Sequence, residues 1–316
     1  MQTWFKFKPT YKEMIWGGNR LKTEFGYDIP SDQTGEAWII SAHPQGESVV
    51  ENGDAANVPL SQLYKMIRPY FGPGKNDEFP IMVKIIDANK DLSIQVHPDD
   101  EYARRVENSL GKSESWYVLD CQPNTRMVMG HHARSSEEFN AHLLSGNYDT
   151  LFRNLTINKG DCFDVSSGTI HAICEGTLLY EAQENSNVTY RVYDYDRRDA
   201  KGNKRELHIR KAMEVTKSPC KPDPIETKPI IIGENRVTYL VENEYFQMRK
   251  YEINDQLTME LSDVFMIVSV IEGEGKINKN PVKKGENFIA LPKEEKLLIE
   301  GRVKLLIVEP KAEKMM

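Results

Sequence analysis

Long apolar runs are missing from this 316-residue sequence, in which no segment approaches the roughly 18 consecutive apolar residues of a membrane-spanning helix. The amino-terminal MQTWFKFKPTYKE lacks both the continuous apolar core and the cleavage-site pattern of an export signal, so a soluble, unexported protein is expected. A basic surplus is missing too: 41 Lys and Arg stand against 48 Asp and Glu, which argues against a nucleic-acid or membrane surface and toward a small-molecule partner. Cysteine is scarce, and Cys121, Cys162, Cys174 and Cys220 form no CxxC pair. An even number of scattered cysteines does not indicate a disulfide framework in a chain this long; each reads as a small apolar residue, and a reducing cytoplasm fits. A nucleotide-type phosphate loop is also absent, because GPGK at Gly72 to Lys75 lacks the rest of such a motif and the helix after it.

What the sequence does contain is a succession of short β-prone segments between turns. AWIISAHP, FPIMVKIID, LSIQVHP, SWYVLDC, TRMVMG, FDVSSG and TYRVYDYD all have the Val, Ile, Tyr and Phe content of strands. Helices are predicted at Leu60 to Tyr70, in a run opened by Pro98 and Asp99, at Ser136 to Leu144 behind the capping pair Ser135 and Glu138, and at Glu206 to Thr216. Their apolar faces (Phe139 and Leu143; Ile209 and Met213) are narrow, so they decorate a mainly antiparallel β framework. Four prolines in KSPCKPDPIETKP, from Lys217 to Pro229, mark a linker. The strand-rich YFQMRKYEI, DVFMIVSVIEGEGKI, GENFIALP and VKLLIVEP follow, giving two domains, 1–222 and 223–316.

The chemistry concentrates in IQVHPDD at Ile94 to Asp100, GKSESW at Gly111 to Trp116 and GTIHA at Gly168 to Ala172. Together they offer Gln95, His97, Glu114 and His171 as one metal-ligand set. Gln95 and His97 are two apart in a β-prone run and so share a strand face. Taken singly, His97 and His171 each read as hydrogen-bonded loop histidines, and Glu114 as surface charge beside a core tryptophan. Their joint placement at strand ends changes that reading. An inward Glu114 directly before WYVLD is costly unless paired or metal-bound. Two imidazoles, a carboxylate and a neutral amide suit one zinc ion, with manganese, iron or cobalt also compatible, and leave the ion net positive.

Basic residues surround this set. Alternation from Thr189 puts Thr189, Arg191 and Tyr193 on one face and Tyr190 and Val192 on the other. Arg191 thereby points into a polar interior, where it either pairs with a carboxylate or stabilises an oxyanion or phosphate. Lys84, in the apolar strand IMVKIID, either snorkels outward or enters the same cavity. Lys112 is tied to the site by standing two residues before Glu114, and supplies charge for an anionic substrate.

An internal echo bears on the architecture. GDCFDVSSGTIH at Gly160 to His171 and KGENFIALPKEEK at Lys284 to Lys296 both resemble the second motif of cupin jelly rolls. The first has Ser166 where cupins usually show proline, and the second has no histidine, so the C-terminal copy is expected to bind no metal. Six ordered blocks then carry a family resemblance: GGNRL near Gly17, GEAWIISAHP, FPIMVKIIDANKDLSIQVHPDD, GKSESWYVL, GDCFDVSSGTIHA and NSNVTYRVYDYDR. Together they resemble the type I mannose-6-phosphate isomerases in their compact bacterial form. That resemblance implies two cupin-type jelly rolls, one zinc held by Gln95, His97, Glu114 and His171, a catalytic Arg191, and Lys84 and Lys112 in substrate contact or proton transfer. It implies reversible conversion of mannose 6-phosphate to fructose 6-phosphate through a cis-enediol(ate). The competing readings are another cupin sugar-phosphate isomerase acting on glucose 6-phosphate, a non-catalytic sugar-binding cupin and an oxygen-activating cupin.

Overall fold

The computed structural model describes residues 2–315 apart from 75, 149, 199–200 and 293–295. Mainly antiparallel β structure dominates, as the strand spacing predicts, in two cupin-type jelly rolls with few helices. In the N-terminal half a six-stranded sheet runs in the order Cys162–Val165, Glu114–Cys121, Thr177–Glu184, Ile81–Ala88, Thr34–Ile40 and Thr10–Gly18. A five-stranded sheet runs Tyr190–Tyr193, Ile94–Val96, His171–Ile173, Arg126–His131 and Phe152–Thr156. Between them Trp116, Val118, Met127, Met129, Phe163, Ile173 and Leu179 form one apolar cluster, the floor on which the polar site rests.

Helices form close to the predicted places, at Leu60–Met66, Asp100–Glu107, Ser136–Ser145 and Ile209–Val215. The Asp99 side chain caps the second by accepting from the Tyr102 N–H. Ser135 caps the third through the Glu138 N–H, whereas the Glu138 carboxylate reaches back past Ser135 to the Arg134 N–H. A helix at Arg20–Phe25, ended by Gly26 in the left-handed region, has no counterpart in the sequence reading.

The third sheet has ten strands and contains the C-terminal half, but the chain boundary and the sheet boundary do not coincide. Trp4–Lys8 pairs with Asn287–Ala290 on one side and with Val49–Val50 on the other, so N-terminal residues belong to the C-terminal sheet. One apolar cluster spans both halves, joining Phe5, Phe7, Ile85 and Tyr180 to Leu240, Phe265 and Leu306. The proline-rich segment is correspondingly not a free linker. The Cys220 carbonyl accepts from the His131 N–H at 2.8 Å and the Ile225 N–H donates to Cys162 at 2.8 Å, strapping the segment along the N-terminal jelly roll. Of the motif echo at Lys284 to Lys296, residues 293–295 lie outside the described residues, as does Lys75 of GPGK.

Candidate active site

Two cross-strand rows build the site. In the five-stranded sheet Arg191, Gln95 and His171 are successive register partners, so their side chains stand side by side on one face. In the six-stranded sheet Trp38, Lys84, Glu181 and Trp116 form the corresponding row, and Glu114, two residues before Trp116, shares its face. A cavity of about 380 Å³ opens on Glu36, Lys84, Gln95, Lys112, Glu181 and Arg191, within the size range of small-ligand sites.

His97, Glu114 and His171 converge beneath it, all buried, with one ligand atom from each lying within 4.8 Å of the others. The strand ends at Val96, one residue before His97, yet the two imidazole centroids are 4.9 Å apart. His97 Nδ1–H donates to the Val188 carbonyl at 2.8 Å and His171 Nδ1–H to the Thr169 carbonyl at 2.9 Å. Both bonds fix the tautomer and leave the Nε2 lone pairs directed at Glu114, 3.5 Å from Oε2 and 3.3 Å from Oε1. His171 Nε2 and Glu114 Oε1 are buried without a hydrogen-bond partner, a costly arrangement that a cation relieves. Burial, followed by the Lys112 charge, holds His97 well below the usual histidine range and His171 at about 3, so both rings are neutral and competent as ligands. Burial pushes the Glu114 carboxyl up to about 7, with Lys112 opposing and Glu181 adding to the rise. These three residues fit a divalent metal. Gln95 stands beside His171 with its Oε1 accepting from Ser93 at 3.2 Å.

Glycine closes the turn before His171. Gly168 has φ +83°, and its N–H donates to the His97 carbonyl at 2.8 Å, which ties the two histidine segments together. A Cβ at Gly168 meets the Val215 carbonyl at 2.8 Å, so the backbone approach requires glycine.

Lys84 enters the cavity rather than snorkelling: it is 4% exposed, with Nζ 3.1 Å from Glu181 and 3.7 Å from Glu36. Burial opposes its charge, but Glu36, Glu181 and Glu114 outweigh that and raise its pKa, keeping the ammonium protonated. Lys112 touches Glu114 and lies 3.2 Å from His97 Nε2 and 3.9 Å from Glu181. Replacing Lys84 by Met removes the cation between Glu36 and Glu181 and leaves only Lys112, 3.9 Å from Glu181, to offset them. We expect Lys84→Met to cost about 3–5 kcal/mol of stability, read from urea unfolding; an unchanged midpoint would mean that water already screens the pair.

Arg191 makes no ion pair among the described residues, which removes the carboxylate-bridge reading. Its Nε donates to Ser93 Oγ at 3.3 Å and Nη1 to the Glu206 carbonyl at 2.9 Å. Thr189 joins it at the cavity, but Tyr193 does not. A register shift between Arg191 and Tyr193 breaks the alternation, and Tyr193 packs against Tyr148 with centroids 5.2 Å apart.

The catalytic-domain model of type I phosphomannose isomerase matches residues 4–123, and the cupin-domain model of mannose-6-phosphate isomerase matches 235–310. A probable mannose-6-phosphate isomerase of Bacillus subtilis (strain 168) is 42% identical over 96% of this chain and 98% of its own length. The chain belongs to the type I phosphomannose isomerases. The mannose-6-phosphate isomerase ManA of the same organism is 44% identical over 90% of this chain and 91% of its own. A crystal structure of the B. subtilis mannose 6-phosphate isomerase superposes with a TM-score of 0.93 at 42% identity, covering 97% of this chain and 99% of the other. The fold extends to a putative mannosephosphate isomerase of Archaeoglobus fulgidus, at 19% identity with a TM-score of 0.77, covering 98% and 97% of the two chains. Among the described residues no helix is long and apolar enough to cross a membrane.

Two residues of this phosphomannose isomerase site were not singled out from the sequence. Glu181 Oε2 accepts from Trp116 Nε1 at 3.1 Å and its Oε1 faces Lys84, while Glu36 accepts from Trp38 Nε1 at 2.6 Å. The alternation Leu179, Glu181, Gln183 along a β-prone run is the signal that carries Glu181. Glu36 had none, because it reaches Lys84 only once Thr34–Ile40 pairs with Ile81–Ala88.

Proposed function

We propose that this chain interconverts mannose 6-phosphate and fructose 6-phosphate through a cis-enediol(ate), with Arg191, Lys84 and Lys112 serving substrate binding and catalysis. The observation that carries the reading is the convergence of His97, Glu114 and His171 beneath a cavity lined by those three cations, in a chain of the type I phosphomannose isomerase family. Gln95 is the fourth ligand in this reading, and zinc the ion, one per chain, because two imidazoles, a carboxylate and an amide oxygen suit it. A divalent ion held there supplies Lewis-acidic charge to the sugar oxygens.

This chain's own residues then divide the remaining work. Arg191, pinned by Ser93 and the Glu206 carbonyl, offers a preorganised guanidinium for the negative oxygen of the enediolate. Lys84 is held protonated between Glu36 and Glu181, which suits a hydrogen-bond donor to substrate oxygens and not a base. Lys112, beside Glu114 and His97, is assigned substrate contact and proton transfer between C2 and C1. The N-terminal unit, up to about residue 222, holds these groups; the C-terminal unit backs it structurally and borrows the strand Trp4–Lys8. Four unpaired thiols fit a cytoplasmic site of action.

A coupled assay decides between sugars. Purified protein is expected to turn over mannose 6-phosphate and to leave glucose 6-phosphate unchanged. Turnover of glucose 6-phosphate without turnover of mannose 6-phosphate would replace this reading with the other sugar-phosphate isomerase, and binding without any turnover would leave a sugar-binding cupin.

A further inference from the structure

The three buried residues that face one another beneath the cavity are not held alike. His97 and His171 are each oriented by an Nδ1–H bond to a backbone carbonyl, that of Val188 and that of Thr169. Glu114 has no such partner. Its Oε1 is buried without a hydrogen bond, and its Oε2 accepts only from the Lys112 ammonium among the described residues. Fixing this carboxylate in place therefore falls to the strand that carries it, and both chain neighbours of Glu114 are gripped from the C-terminal unit.

Strand alternation sends Glu114 inward and turns Ser113 and Ser115 to the opposite face, where they are buried against the turn at 243–246. Asn243 connects in two directions. Its Oδ1 accepts from the Tyr245 and Phe246 N–H groups at 2.9 and 3.0 Å, which closes its own turn. Its Nδ2 donates to Ser115 Oγ at 3.3 Å and to Asp164 Oδ1 at 2.9 Å. Ser115 Oγ donates to the same Asp164 oxygen at 2.9 Å, and Asp164 is its register partner on the edge strand Cys162–Val165. Turn, ligand strand and edge strand are thus tied at one point. On the other flank of Glu114 the Tyr245 hydroxyl is hydrogen-bonded to the Ser113 side chain. Ser113 Oγ also accepts from the Ser167 N–H at 3.3 Å, and the Ser113 N–H donates to Glu184 at 2.8 Å.

We propose that Asn243 and Tyr245 are positioning residues for the metal: the C-terminal turn clamps the strand on either side of Glu114 and thereby sets the affinity of the site for its ion. The proposal rests on the reading of Glu114 as a ligand. A ligand set works only when its members are held within about 0.5 Å of the productive geometry, and a carboxylate with no orienting bond of its own takes that precision from its backbone. Among the described residues none of the C-terminal unit lines the cavity, so its contribution passes through Ser113 and Ser115.

Zinc affinity of the full-length protein, measured by chelator competition, tests this. Asn243→Asp keeps the oxygen that closes the turn but sets a second carboxylate against Asp164, and it is expected to weaken zinc binding about tenfold. Adding Asp164→Asn exchanges donor and acceptor across the same contact and should bring the affinity back, whereas Asp164→Asn alone should change it little, because an amide oxygen still accepts from Asn243 and Ser115. Tyr245→Phe should weaken zinc binding about threefold through the loss of one hydrogen bond. A contact that is merely structural would lower the urea midpoint of the metal-free protein and leave the zinc affinity of the folded state as it was. Wild-type affinity in folded Asn243→Asp and in Tyr245→Phe overturns the proposal, and so does a double variant that binds zinc no more tightly than Asn243→Asp. Wild-type zinc affinity in Glu114→Gln would instead overturn the ligand reading on which the clamp rests.

Discussion

Glu114→Gln is expected to lower metal affinity by more than the roughly 10–100-fold that an outer-shell change costs, with isomerase activity falling in parallel. Glu114 faces both histidines with separate oxygens, so the variant replaces the one carboxylate that gathers the ligand set. The fold should tolerate the change. Burial already disfavours the charge on Glu114 in the metal-free protein, so a neutral amide there costs little stability even though Lys112 loses its closest partner. Metal analysis after dialysis, together with a chelator-competition titration, separates the two effects. Full metal retention by the variant would show that the carboxylate is not a ligand.

Arg191→Ala is expected to reduce kcat by about 10²–10³ while leaving the metal content at the wild-type value, the size of effect seen when one preorganised donor to a developing oxyanion is removed. No carboxylate is orphaned by the loss, since Arg191 is held by a hydroxyl and a backbone carbonyl. The unfolding midpoint should therefore move little. Arg191→Lys should recover little of the activity, because an ammonium cannot hold Ser93 and the Glu206 carbonyl while presenting a further N–H in the guanidinium plane. Unchanged kcat with a lowered midpoint would make Arg191 a structural residue. Steady-state kinetics beside a urea titration distinguishes the outcomes.

The candidate ligands were legible because strand periodicity and turn chemistry are local. His171 follows a glycine turn, Gln95 stands two residues before His97 in one β-prone run, and Glu114 opens a strand whose next inward residue is Trp116. Local pattern also placed Arg191 on the inner face, but it could not reveal the register shift that turns Tyr193 away, since a bulge is a property of two strands and not of one. For the same reason the charge state of Lys84 was out of reach. It depends on Glu36 and Glu181, which become its neighbours only when three strands align. The same limit hid the pairing of Trp4 with Ala290, a contact between the two ends of the chain that no window of sequence contains.

We propose that the buried His97, Glu114 and His171 hold, with Gln95, the one metal ion on which mannose 6-phosphate isomerisation depends. Its most direct test is a titration of the chelated protein in which bound metal and turnover of mannose 6-phosphate are read from the same samples. No turnover is expected without metal, followed by a linear return of activity that stops at one equivalent per chain, with Glu114→Gln taking up no stoichiometric ion under the same conditions. Full activity in protein shown to be free of metal would contradict it.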